Sequence, residues 1–131
     1  MTRFKAYSSP DGPPAIGPYS AVVAVDTPSR ILFIAGQGPM TADGKIVEGE
    51  IQKQTKATLK NLSLQLEAAG ASLQNVAKTT VFLKDMNDFK AMNQIYAEFF
   101  KKNEVKPARS TVQAARLPMD ILIEIEAIAV L

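Results

Sequence analysis

The stretch DILIEIEAIAVL, residues 120–131, reads as a β-strand with apolar side chains on both faces. Ile121, Ile123, Ile125, Ala127 and Ala129 point one way, and Leu122, Glu124, Glu126, Ile128 and Val130 point the other. In a lone two-layer domain the sheet face away from the helices is solvated and its outward positions are polar. Leu122, Ile128 and Val130 break that rule. The second face is therefore expected to be covered, most simply by another copy of the chain, so a homo-oligomer is predicted.

Working back from this strand, ARSTVQAAR (108–116) is a second strand-like run, and LPMD (117–120) a turn; together they predict a hairpin. Before it, residues 88–102 carry Phe89, Met92, Tyr96, Phe99 and Phe100 at helical spacing, with Asn87 or Asp88 as N-cap and Lys101-Lys102 at the negative end. VAKTTVFLKD (76–85) is rich in β-branched residues and reads as a strand. Residues 50–69 predict a long helix with Ile51, Leu59, Leu62 and Leu66 on one face and Gly70 just past its end. Further strands are expected at 2–7, 20–25 and 31–37. A Pro- and Gly-rich loop separates the first two (8–20), and a loop with a turn at Asp43-Gly44 follows the third (38–49). The order β-β-β-α-β-α-β-β predicts one α+β domain over 1–131, an open sheet with both helices on one face.

Composition narrows the chemistry. The 131 residues include no cysteine and no histidine. Disulfides, thiolate nucleophiles and Ser-His or Cys-His relays are thereby excluded, and zinc or copper catalysis is disfavoured. A hydrophobic share of 47% is near the globular average and argues against disorder. No apolar run approaches the roughly 20 residues of a membrane helix. The first residues, MTRFKAYSSPDG, lack a signal-peptide core and are too short and extended for a mitochondrial presequence. Cytoplasm is the default location, with an organelle such as the mitochondrial matrix left open. A net charge of +2 is too balanced to suggest nucleic-acid binding.

Few groups remain that could do chemistry. Arg109 stands in KPARS (106–110), where a guanidinium offers paired donors to a carboxylate or phosphate; residue type and position alone favour an ordinary ion-pair arginine. Glu124 and Glu126 lie two apart on a strand, on one face and on the order of 7 Å from each other. Either could orient or deprotonate a water, although the solvated reading is preferred for Glu126. Tyr19, set by Gly17-Pro18, offers a ring with a polar tip. Gly36 and Gly38 in AGQGP allow close backbone approach but lack phosphate-loop spacing. Asn93 sits at the border of the second helix's apolar stripe and reads first as a plain polar position.

AIGPYS, AGQ, KTTVFLKDMNDF, PARS and IEIEAIAV occur in one order along the whole chain, and the combination resembles the RidA (YjgF) family of reactive-intermediate deaminases. The resemblance implies a chorismate-mutase-like fold, a homotrimer whose sheets line a central barrel, and sites in the clefts between subunits. It implies hydrolysis of 2-imino acids or their enamine tautomers, released by pyridoxal-phosphate enzymes, to 2-oxo acids and ammonia, with no metal and no cofactor. By motif, Arg109 would clamp the substrate carboxylate and Glu124 would hold the attacking water. Tyr19 would shape the pocket from a neighbouring subunit, Gly36 would give backbone contact, and Asn93 would support the site. The chain departs from the family where Ala35 replaces a frequent serine, Lys106 a frequent aromatic wall, and Thr111 a frequent cysteine. The backbone carbonyl at Thr111 is implied to assist the water. The alternatives are a non-catalytic carboxylate-binding or chaperone-like trimer and an RNA-directed translation inhibitor or endoribonuclease. The absence of a histidine pair and of an aromatic stacking platform weighs against the RNA reading.

Overall fold

The computed structural model describes residues 3–131; Met1 and Thr2, the latter included in the first expected strand, lie outside them. The elements follow the expected order: β1 (Arg3–Tyr7), β2 (Val22–Asp26), β3 (Ile31–Gln37), α1 (Ile51–Ala68), β4 (Val76–Leu83), α2 (Phe89–Phe99), β5 (Ala108–Gln113) and β6 (Ile123–Val130). The chain is α+β. Leu59, Leu62 and Leu66 of α1 and Met92 and Tyr96 of α2 share one buried cluster with Val81, Leu83, Ile123, Ile125 and Ala129. Both helices therefore cover the same sheet face. No helix among the described residues is long and apolar enough to cross a membrane.

The pairing differs from expectation in two ways. The predicted hairpin of the last two strands does not form. β5 runs parallel to β4, as a crossover through α2 requires, and β6 inserts antiparallel between β3 and β4, giving the order β3-β6-β4-β5. Burial explains the outcome: β6 is the strand with apolar residues on both faces, and the central position suits it best. The sheet is also not single. β1 and β2 form a separate antiparallel ribbon, joined to β5 by one bridge in which the Ser20 N–H donates to the Pro107 carbonyl at 3.1 Å. Pro18 and Pro107 have no amide to extend that ladder.

Helix ends follow local chemistry. Gly70, at φ +78°, closes α1 in a Schellman arrangement, with the Ala71 N–H donating to Leu66 O and the Gly70 N–H to Glu67 O. α2 starts from Asp88, one of the two expected N-caps, although that side chain makes no capping hydrogen bond. Its approach is a short 3₁₀ turn capped by the Asp85 carboxylate, which accepts from the Asn87 N–H at 2.8 Å. At its far end the helix stops at Phe99, and Lys106 does the work assigned to Lys101-Lys102. The Lys106 Nζ donates to the carbonyls of Phe100 (2.9 Å), Asn103 (2.8 Å) and Lys101 (3.4 Å).

The sheet face away from the helices keeps the apolar character read in the sequence. Phe33 of β3 lies directly opposite Ile128 of β6, so the two side chains share this face. Phe33 is 78% exposed, Ile31 53%, Val112 46% and Ile128 36%. In the isolated chain this face stands open. Covering Phe33 alone is worth roughly 1.5–3 kcal/mol.

Candidate functional site

Arg109 turns towards α2. Its partner in the parallel ladder is Thr79, which is fully buried on the helix side, and paired residues point to the same face. Phe89, Asn93 and Tyr96 fall at i, i+4 and i+7 on α2 and so present one stripe to the guanidinium. Arg109 Nη1 donates to Asn93 Oδ1 at 2.7 Å. The guanidinium carbon lies 4.8 Å from the Tyr96 ring centre, 5.3 Å from that of Tyr19 and 5.6 Å from that of Phe89. Contacts of this kind hold a cation at about 0.5–2 kcal/mol each.

The floor of this cradle is itself fixed. The Tyr96 hydroxyl and Thr79 Oγ1 are hydrogen-bonded at 2.7 Å in the core. Burial pushes the Tyr96 phenol up to about 12, against the opposing pull of the Thr79 bond and the Arg109 charge, so it stays neutral. Burial also lowers the pKa of Arg109 from its ordinary value, while Tyr96 and Tyr19 oppose the shift. Arg109 forms no ion pair among the described residues. A half-buried cation held by rings and one amide, with no carboxylate partner among the described residues, has guanidinium donors that could serve an anion.

Tyr19 reaches Arg109 within the chain. Its loop folds back on itself: the Tyr19 N–H donates to Gly17 O at 2.8 Å, and the Tyr19 hydroxyl accepts from the Ile16 N–H at 3.2 Å. A Cβ at Gly17 would stand 3.1 Å from Arg109 Nη2, so the glycine lets this loop close on the guanidinium. Thr111 lies on the same strand face as Arg109, opposite Val81. Its Oγ1 is buried, with no hydrogen-bond partner among the described residues. Lys106 is turned to the end of α2 and takes no place beside the guanidinium rings.

Glu124 belongs to a second centre. Its ladder partner is Phe82, one of the β4 residues that alternate with buried Thr79, Val81 and Leu83, so Glu124 faces the open side of the sheet. It is half-buried there, while Glu126 is exposed. Between Ile34 and Gln37 the register of β3 against β6 shifts: three steps on β3 match two on β6. This bulge at Ala35-Gly36 brings the backbone of Gly36 against the Glu124 side chain. A Cβ at Gly36 would overlap the Glu124 carboxylate, at 2.7 Å from Cδ and 3.0 Å from Cγ. A hollow of about 450 Å³, lined by Gly36, Gln37, Gly38, Met40, Asn61 and Leu64 among others, borders this segment.

One chain thus unites Arg109, Asn93 and Tyr19, and separately unites Glu124 and Gly36; it does not bring the two groups together. Arg109 and Glu124 are two strands apart and on opposite faces. Their ladder positions along β4, Thr79 and Phe82, differ by three residues. Strand spacing and rise separate their Cα atoms by on the order of 14 Å. Phe89, Tyr96 and Thr79 were not singled out from the sequence as site residues. The signal for the first two was Asn93, an amide set between two aromatics at i−4 and i+3 on one helix face. No group of three or more acidic side chains that could hold a metal ion occurs among the described residues.

Comparison with known proteins agrees along the whole chain. The family described as Endoribonuclease L-PSP matches residues 10–131. A RutC family protein of Pyrococcus horikoshii is 53% identical over 120 residues, 91% of each chain. The human 2-iminobutanoate/2-iminopropanoate deaminase is 45% identical over 96% of this chain and 89% of its own. The crystal structure of E. coli TdcF with bound serine is 40% identical, with a TM-score of 0.72 over 97% of this chain and 98% of that one. The chain belongs to the Endoribonuclease L-PSP family, the YjgF/RidA family that its motifs resemble.

Proposed function

We propose that this protein hydrolyses small 2-imino acids, or their enamine tautomers, to 2-oxo acids and ammonia, at a site completed by two copies of the chain. The observation that carries the reading is Arg109: half-buried, fixed by Asn93 and three rings, and without a carboxylate partner among the described residues. The donors not used by Asn93 suit a substrate carboxylate. The human relative's name gives the reaction class, and serine, the ligand of TdcF, has the carboxylate and C2 nitrogen that such an imine carries.

Glu124 supplies the second group. Because it faces away from Arg109, it acts from a second copy seated on the apolar open face, in a homotrimer as the family resemblance implies. Water held by its carboxylate adds to C2 of the protonated imine and loses a proton to Glu124. The proton passes to nitrogen, the C–N bond breaks as the new hydroxyl gives its proton back to Glu124, and ammonia leaves a 2-oxo acid. A protonated imine is already electrophilic, so positioning and one base suffice. Orientation can supply several kcal/mol, up to about 7–11 in the best cases, and a placed base roughly 10²–10⁴ in rate.

The test is hydrolysis of 2-iminopropanoate, generated in situ by an amino-acid oxidase, by wild type and by Arg109→Ala. Loss of at least about 100-fold in kcat/KM is expected for the variant, mostly through KM. Equal turnover by the two proteins would refute the role of Arg109.

A further inference from the structure

The Gly36 bulge cannot hold Glu124 unless something holds the bulge, and the residue that does so lies on α1. Asn61 donates from its single Nδ2 to two carbonyls of the segment after the bulge, Gly38 O and Met40 O, each at 2.8 Å. Gly38 O also accepts from the Met40 N–H at 2.9 Å, so the turn is tied at both ends to one amide. From the other side the segment rests on the approach to and start of β6. Gly36 packs on Glu124, and a Cβ at Gly38 would stand 3.0 Å from the Ile121 Cδ1. Two glycines therefore let residues 36–38 lie flat on this stretch, and Asn61 is the strut that keeps them there from the helix layer.

We infer that Asn61 is a positioning residue for the reaction: it fixes the 36–40 segment, and through Gly36 the pose of the Glu124 carboxylate, without touching substrate. This inference rests on the functional reading above and names a residue to which that reading gives no part. Arg109 and its cradle lie on β5, α2 and the 16–19 loop, none of which Asn61 bonds. Loss of Asn61 should therefore disturb the water and leave carboxylate binding intact. That split separates positioning of Glu124 from general loosening of the fold, which would weaken both.

The experiment uses full-length Asn61→Leu, which keeps the branching at Cγ but has no donor, and Gly38→Ala, which lifts the same segment from the Ile121 side. Both are assayed for imine hydrolysis and for 2-oxobutanoate binding by calorimetry, in wild-type and Glu124→Ala backgrounds. Each variant is expected to lower kcat at least about tenfold, with KM and the 2-oxobutanoate Kd within twofold of wild type. Each is expected to lose nothing further when Glu124 is already alanine. If Asn61→Leu does not fold, Gly38→Ala carries the same expectation. An unchanged kcat in the folded variants, or an equal additional loss in the Glu124→Ala background, would overturn the inference while leaving the functional reading in place. A wild-type protein that binds 2-oxobutanoate without hydrolysing imines would overturn that reading, and the role of Asn61 with it.

Discussion

Replacing Gly36 by alanine isolates the placement of one carboxylate. The added methyl would overlap the Glu124 carboxylate and stand 2.7 Å from its Cδ. Ordinary carbon–carbon contact is about 3.5–4.0 Å, so the carboxyl group must retreat by roughly 1 Å. Glu124 is half-buried on the open sheet face, and its side chain can swing without moving β6. The backbone of Gly36 is not in the left-handed region, so alanine brings no dihedral strain. Stability should therefore change by less than about 1 kcal/mol, while a misplacement of 1 Å at a reacting group costs on the order of 100-fold in rate. Steady-state hydrolysis of 2-iminopropanoate, read with thermal melting, gives both numbers. Gly36→Ala should lose about 100-fold in kcat at a nearly unchanged Tm, and the double variant with Glu124→Ala should be no slower than Glu124→Ala alone. Activity within threefold of wild type would refute the claim that Gly36 exists to seat Glu124.

Three further outcomes are expected. Lys106→Met removes the ammonium from the carbonyls of Phe100, Lys101 and Asn103, and should destabilise the protein by roughly 1–3 kcal/mol in denaturant titration. A variant as stable as wild type would show that this cap is idle. The raised pKa of Tyr96 gives a stability term that is full below pH about 10, where the unfolded phenol keeps its proton, and is lost as pH rises to about 12. Over that window the folded state binds more protons, so wild type should lose roughly 2–3 kcal/mol more than Tyr96→Phe; parallel curves would contradict the buried neutral phenol. Phe33→Asp places a charge on the open face beside Ile128 and should yield monomers in sedimentation velocity, with imine hydrolysis lost together with assembly.

The legible part of the fold was the part written in periodicity. The stripe of Ile51, Leu59, Leu62 and Leu66 gave α1, and the two-faced run from 121 to 130 gave both a buried strand and an unsatisfied sheet face. Strand pairing was less legible. The 108–116 and 121–131 runs carry every local hairpin signal, yet β5 follows α2 and pairs parallel with β4, and β6 takes the place between β3 and β4 with neighbours on both edges. At the site, the sequence pointed to Arg109, but the absence of a carboxylate near it is a fact of three dimensions. The packing of Gly36 on Glu124 was not legible, because a bulge shifts register in a way that no period reveals. Lys106 leaves the place of the aromatic wall empty, and its direction is not written in residue type. Its side chain turns to the helix end, where free carbonyls attract it.

The claim that Arg109 and Glu124 must come from different copies is tested most directly by mixing two inactive proteins. At low substrate, Arg109→Ala and Glu124→Ala are each expected to keep no more than about a hundredth of wild-type activity as homo-oligomers. Unfolded together and refolded at equal ratio, they form sites in which an intact Arg109 of one copy meets an intact Glu124 of another. About a quarter of wild-type activity should return, as random assembly of such interfaces gives. A mixture of confirmed hetero-oligomers that stays as inactive as its components would contradict the two-copy site.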